Sequence, residues 1–441
     1  MAFDLRSGWI HRSWISTAVA TVLCGGLLVA ADALAASDTD FDVAAFEKKA
    51  FEWSGYAELR PERQWLNTES LGYGLQFPDE TRSTLNRLTG VLELSGVLRH
   101  DSLRFNFTAH GDYVDDPRIQ EGKARWFEAY GTWQAGPNAA LELGKRALRW
   151  GTGYAWSPVG FFERQKDPLD PDLSRQGFVM ATGSLVRSFE GALKAAALTP
   201  VILPVSENMN SDYGPPGHIN AGAKLYVLWH DTDIDFVYGS QGSRGARWGA
   251  DFSRNIGPNA EIHGEWARFT DVPRAVLTPT GMLASETRAY TSYLLGGRYL
   301  TEHETTFILE YYRNGAGYSE SEEYQFFSLA QGALSSLAPV ARAIATQAAS
   351  QGYTRPNAMQ RYLYLRISQK EPFDILYFTP AVTAIVNVAD GSFSLTPELL
   401  YTGVSNLEVR LRVMFNEGNG FTEYGEKAVE TRAELRIRYF F

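Results

Sequence analysis

Along most of this chain apolar and polar residues take turns. In "LRFNFTAHGDY", Leu103, Phe105, Phe107, Ala109 and Gly111 fall on one side and Arg104, Asn106, Thr108, His110 and Asp112 on the other. Successive side chains of a strand point to opposite faces, so this period of two predicts strands. The pattern recurs in "AKLYVLWH", "TTFILEYYRN" and "EVRLRVMFN". It also ends the chain: in "VETRAELRIRYFF", Glu430, Arg432, Glu434, Arg436 and Arg438 share one face, and Val429, Thr431, Ala433, Leu435, Ile437, Tyr439 and Phe441 the other. About eighteen such strands can be placed between residues 54 and 441, or about sixteen if those near 54–64 or 232–239 fail.

The gaps between the predicted strands alternate in length. They are long at 65–82, minimal around His100, longer at 114–122 and short in "AGPN" at 135–138. A long stretch at 151–177 is followed by almost none at Glu190, and "IGPN" near 256 and "TEHE" near 301 continue the short series. Two soluble sheets packed face to face give loops no reason to segregate by parity. A closed barrel in a bilayer does: short turns lie on the periplasmic side, long loops outside, apolar residues face lipid, and polar residues face an aqueous lumen. The predicted fold is therefore all-β, a transmembrane antiparallel up-and-down barrel. Its first strand must pair with its last, bringing Glu58, Arg60 and Glu62 beside the row from Arg432 to Arg438.

The N-terminus agrees with that destination. Arg6, His11 and Arg12 precede an apolar run from Trp14 to Ala31, then Ala33-Leu34-Ala35, the pattern of a secretory signal peptide over 1–35 with cleavage after Ala35. Residues 36–53 form a short N-terminal periplasmic segment, in which a helix from Asp42 is predicted, and 54–441 a single barrel domain. The only cysteine, Cys24, lies inside the signal run, so the mature chain has neither disulfide nor thiolate chemistry. Aromatics make up 13% of the chain, glycine 40 residues, and the net charge is -10. With no basic cluster to neutralise phosphates, nucleic acid is not an expected partner.

The ending "RIRYFF", with Tyr439 and the terminal Phe441, is similar to the C-terminal signal read by the barrel-assembly machinery, and over essentially its whole mature length the chain resembles bacterial outer-membrane porins of the general or alginate-export type. The stretch "LELGKRALRWGTGYAWSPVGFF", from Leu141 to Phe162, resembles the basic-Trp-Gly segment of such families, although Gly144, Lys145 and Arg146 stand where a Gly-Arg-Gln form is expected. The resemblance implies a channel, outer-membrane lipid and a transported solute as partners, a homotrimer, and a third long loop folded into the barrel at its narrowest point. That loop would be 151–177, with Arg164, Lys166, Asp167, Asp170 and Asp172 supplying its charge.

Face assignment then names the candidate pore lining. Its cations are Arg104, Arg146, Lys194, Lys224, Arg247, Arg298, Arg366, Arg410, Arg412, Arg432, Arg436 and Arg438. Its anions are Glu58, Glu93, Asp112, Glu128, Glu142, Asp251, Glu261, Glu265, Glu310, Glu408, Glu430 and Glu434. Opposed rows of the two signs would set up a transverse field in the lumen; mutual neutralisation in a wet interior is the plainer reading. The loop at 315–359 contains too many apolar residues for a bare surface loop and reads as helix broken near Pro339, either capping the outer mouth or packing on the rim.

Catalytic signals are weak. His110 with Asp112, and His263 with Glu261 and Glu265, share strand faces, but the strand period alone produces such neighbours. Phosphate-cradling loops, nucleophile elbows and metal-ligand spacings are missing from the sequence, and Pro168 and Pro171 interrupt any calcium loop among the three aspartates. The sequence thus points to a non-enzymatic channel without metal or cofactor that passes small polar or charged solutes. A substrate-selective barrel, for anionic polymers or hydrophobic compounds, is the runner-up.

Overall fold

The computed structural model describes residues 49–78, 80–171, 175–336 and 339–441. The predicted signal peptide, residues 36–48 of the predicted N-terminal segment with its helix from Asp42, and Asp172 lie outside the described residues.

The wall begins with β1 (Phe51–Leu66), β2 (Thr84–His100), β3 (Leu103–Asp115), β4 (Gln120–Gly136), β5 (Ala139–Arg146) and β6 (Phe178–Ser188). It continues through β7 (Leu193–Val205), β8 (His218–Trp229), β9 (Thr232–Gly239), β10 (Arg247–Ile256), β11 (Ala260–Leu277) and β12 (Leu283–Leu300). The last third is β13 (Thr305–Arg313), β14 (Arg361–Gln369), β15 (Phe378–Asn387), β16 (Phe393–Val404), β17 (Leu407–Glu417) and β18 (Val429–Phe440). Each strand runs antiparallel to its sequence neighbours, and β1 pairs with both β2 and β18, so the 18-stranded sheet closes with no free edge. The closing register sets Glu58 opposite Arg438, Glu62 opposite Glu434 and Gln64 opposite Arg432. Phe441 completes the seam: its amide and carbonyl bond Gly55 at 3.0 and 2.9 Å, and its ring lies 5.9 Å from that of Trp53.

Burial is inverted relative to a water-soluble sheet. Outward-facing Leu143, Ile219 and Leu295 are 70%, 68% and 61% exposed, while inward-facing Glu310, Arg436 and Glu58 are 0%, 2% and 3% exposed. An apolar belt around a charged interior is stable only where the surrounding solvent is hydrocarbon, because charges on that outer face would cost roughly 2–4 kcal/mol each at the bilayer midplane. Among the described residues no helix is long and apolar enough to cross a membrane; the strands make the crossings.

Loops alternate by position as the spacing predicts, but not strictly by length. Loop 2 (116–119) is short for its side, and the turn at 370–377 is long for the other. β11 and β12 each run 18 residues and pair out to Leu277 and Leu283. Pro273, a residue disfavoured in strand interiors, is accommodated beyond a register shift between Phe269 and Val272. Loop 1 (67–83) holds α1 (Leu71–Gln76), and loop 7 (314–360) holds α2 (Glu320–Ser335) and α3 (Pro339–Ala348). Ser319 and Glu322 form a reciprocal cap at the start of α2, and Pro339 opens α3, where a missing N–H costs nothing.

Candidate functional site

One side of the lumen is lined by arginines from β14, β17, β18 and β1. Arg436 donates to Asp170 at 2.7 Å and lies 3.7 Å from Glu58 and 3.5 Å from Glu434. Arg412 bonds Glu434 at 2.7 Å, Arg438 bonds Glu58 at 2.7 Å, and Arg366 bonds Glu398 at 2.9 Å. Arg410 sits 3.6 Å from Asp170, 3.7 Å from Glu398 and 3.4 Å from Glu408. Arg60 pairs with Glu58 on its own strand. These cations converge because alternate residues of neighbouring strands face the same interior, and strand closure adds β1 to β18.

Half the strand count away, the wall is acidic. Asp235, Asp251 and Glu265 stand directly opposite one another across β9, β10 and β11, with Lys224 3.0 Å from Asp235. This register brings three carboxylates into one row, and the Asp251 Oδ2 and Asp235 Oδ1 atoms have no hydrogen-bond partner among the described residues.

Loop 3 (147–177) spans from one wall to the other inside the barrel. Glu128 of β4 accepts the Ala147 amide at 2.9 Å as the chain leaves β5. Glu265 of β11 accepts from Thr152, Gly153 and Val159 at 2.8, 2.7 and 3.1 Å, and Glu310 of β13 accepts from Ala155 at 2.9 Å and from Tyr154. Near the far side, Asp170 meets Arg436, Arg412 and Arg410, and the Leu169 carbonyl accepts from Arg412 at 3.0 Å. The wall thus supplies acceptors for backbone donors that a loop buried in a barrel otherwise leaves unsatisfied. Burial pushes the Glu163 carboxyl of this loop up to about 7, despite its bonds to the Trp150 amide and Arg175.

Loop 7 folds over the outer mouth. Phe326, Phe327 and Ala330 of α2 belong to the same apolar cluster as Trp156 of loop 3 and the inward-facing Tyr362 and Tyr364 of β14. Beneath the mouth loops a cavity of about 590 Å³ is lined in part by Trp156, Lys166, Arg175, Tyr312, Lys427 and Arg432. Three carboxylates from three loops meet at the edge of the helix: Glu323 of α2, Asp390 of loop 8 (388–392) and Glu423 of loop 9 (418–428). Glu423 accepts from Tyr362 at 2.6 Å and from Asn387 at 3.2 Å, and its amide donates to Asp390 at 2.8 Å.

Burial first, then the charges of Asp390 and Glu423, push Glu323 up to about 9, with Lys427 opposing and Glu320 adding. Burial likewise raises Glu423. A docked carboxyl with a raised pKa favours the docked state fully below its free value near 4.5, and that contribution is lost as pH climbs to about 9. Single-channel records at pH 5 should therefore be quieter than at pH 9, where α2 lifts more often; Glu323→Gln should hold the quiet behaviour at both. Identical records from the parent at both values would refute this latch.

The remaining sequence candidates divide. Glu142 pairs with Arg146 and accepts from Thr182 at 3.0 Å, and Asp112 pairs with Arg125. Arg104 is exposed near the periplasmic end of β3, Glu430 is exposed near the outer end of β18, and Arg432 faces the outer cavity. In loop 3, Arg164 pairs with Asp212, Lys166 donates to the Gly153 carbonyl, and Asp167 accepts from the Leu169 amide at 2.9 Å and, through its carbonyl, from the Asp170 amide at 3.0 Å. Among the described residues no three carboxylate or imidazole groups converge to hold a metal. His263 has both ring nitrogens engaged, by Glu261 at 3.1 Å and Glu310 at 2.9 Å, while His110 is held by Glu93 at 2.9 Å and stacked on Phe127. Both histidines are braced in the wall.

Sequence reasoning missed Asp235, Glu398, Glu323, Asp390 and Glu423. Asp235 and Glu398 lie on the inward faces that alternation gives β9 and β16, with Pro397 on the apolar side between Leu395 and Leu399; the other three sit on a helix and two loops where no strand period applies. Glu265 and Glu310 were placed on the lumen face, but nothing in their spacing marks them as acceptors for a loop more than a hundred residues earlier.

A closed 18-stranded barrel with an apolar belt, a charged interior and a loop folded inward is a porin-like barrel of the outer-membrane class. Solved structures share it: a doubly substituted OccD1 (OprD) matches with TM-score 0.51 at 13% identity, covering 90% of this chain and 97% of that one. OccK2 (OpdF) of Pseudomonas aeruginosa, solved in complex with glucuronate, matches with TM-score 0.51 at 13% identity over 89% of this chain and 96% of that one. OprD from Pseudomonas aeruginosa matches with TM-score 0.50 at 11% identity over 88% and 94%. The likeness is one of fold. No protein-family model matches the chain, and no curated protein matches it in sequence.

Proposed function

We propose that the chain is an outer-membrane channel through which small polar or charged solutes pass passively, without catalysis. The arginine wall facing an acidic wall, with loop 3 between them, is the observation that carries this reading. Such a field orders water and ranks solutes by charge at the constriction. Selectivity for anionic solutes is a second reading. The arginines of β17 and β18 share Asp170 as a counter-charge that belongs to a loop, so a competing carboxylate has three guanidiniums to claim. The glucuronate in the OccK2 structure fits the same chemistry.

In this reading residues 1–35 direct export and are removed, Tyr439 and Phe441 present the chain to the barrel-assembly machinery, and three barrels associate in the membrane. The test is conductance of the refolded chain in a planar bilayer, with reversal potential measured in a salt gradient. Stable steps with a defined ion preference are expected. Silence from protein shown to be folded by heat-modifiable gel migration would reject the passive channel in favour of a gated one.

A further inference from the structure

On the outer surface, at the extracellular ends of β13 and β14, Arg313 and Arg361 stand directly opposite each other. Both lie on the outward face, because Tyr312 and Tyr362 beside them point inward. Like charges at a directly opposed strand position repel, and neither arginine has an ion-pair partner among the described residues. Arg268 of β11 is on the same face two strands away, where it donates to Thr291 at 2.9 Å. Trp266 and Tyr311 lie one outward position below Arg268 and Arg313 on their strands, and Tyr293, directly opposite Arg313, has its ring 6.2 Å from that of Tyr311, so the three form an outward aromatic row. Amphipathic rings of that kind settle at the boundary between hydrocarbon and headgroups. The arginines are thus held at headgroup height. Above them a groove of about 660 Å³ runs along α2, lined by Ser319, Ser321, Tyr324, Gln325 and Gln360, with Glu320 as its one carboxylate.

We infer that Arg313 and Arg361, with Arg268 beside them, bind the phosphate of a phosphorylated glycolipid in the outer leaflet. Two planar guanidiniums side by side are suited to bridge one phosphate by charge-assisted bonds, and the phosphate removes the repulsion between them. The hydroxyls and amides of the groove offer partners to the sugar. The acyl chains continue down the apolar belt past Leu295 and Leu309, which are 61% and 49% exposed. This site rests on the membrane-barrel reading, but not on what passes through the lumen.

The test is titration of the refolded full chain in detergent micelles with purified lipopolysaccharide, read by native mass spectrometry. The Arg313→Gln/Arg361→Gln double variant should bind about tenfold more weakly, the scale of losing charge-assisted bonds to one phosphate. The parent should lose as much with enzymatically dephosphorylated lipopolysaccharide, and Arg313→Lys/Arg361→Lys should retain part of the affinity. Arg268→Gln, outside the opposed pair, is the second variant, with a smaller loss in the same direction. Equal affinity of parent and Gln variants would overturn the site, and displacement by excess inorganic phosphate would make it a free-anion site instead. Flotation of parent and variants with phospholipid vesicles checks the barrel reading separately: failure of all to float would sink both, whereas flotation with unchanged titrations sinks only this site.

Discussion

A Glu265→Ala barrel should keep its wall and lose its fixed loop 3. The Glu265 carboxylate, 3% exposed, takes three backbone N–H groups from the loop, at 2.7–3.1 Å. Each donor left unsatisfied in a buried place costs about 1–3 kcal/mol, so the folded-in path loses several kcal/mol unless water enters. Either outcome loosens loop 3. The strand ladder does not depend on this side chain, so heat-modifiable migration should persist, while single-channel current becomes noisier and larger on average. Glu265→Gln, which keeps the shape and one carbonyl acceptor, should give an intermediate trace, and Glu310→Ala, which frees two N–H groups, a smaller effect. A Glu265→Ala channel as quiet as the parent would mean that loop 3 is not held from this wall.

The second large effect is expected at the other end of the loop. Asp170→Asn removes the carboxylate shared by Arg436, Arg412 and Arg410, leaving one more positive charge in the lumen and a less firmly seated tip. Reversal potential in a salt gradient should move towards anions. Arg436→Ala should move it towards cations, because Asp170, Glu58 and Glu434 all lose a partner. It should also lower the temperature of the heat-modifiable transition, since breaking a buried pair typically costs about 3–5 kcal/mol. A common direction of shift for both variants would contradict control by this cluster.

The loop 3 tip and the Glu323 corner differ in their response to pH. Burial alone would raise Asp170, but the arginines Arg436, Arg412 and Arg410 hold it below the usual carboxylate value. Its contribution is present above the ordinary carboxylate range and is lost only as pH falls through the lowered value. The loop 3 tip therefore stays docked across the same pH 5 to 9 interval in which the Glu323 latch weakens. A pH-dependent change in current with unchanged ion preference would be the signature of this division.

Alternation by itself determined the strands, their faces and their closure. Glu58 beside Arg438, and the inward row of Glu434 and Arg436, follow from a period of two and the need of a barrel to join its ends. Even β1 and β9, the strands most open to doubt, form where the pattern put them. Irregular backbone carries no such period. That Glu265 and Glu310 cap loop 3, that Asp170 seats among three arginines, and that Glu323, Asp390 and Glu423 share one corner were decided only by the tertiary structure. Each of these contacts joins groups far apart in the chain, through hydrogen bonds and charges whose geometry exists only once the barrel has closed around the loop.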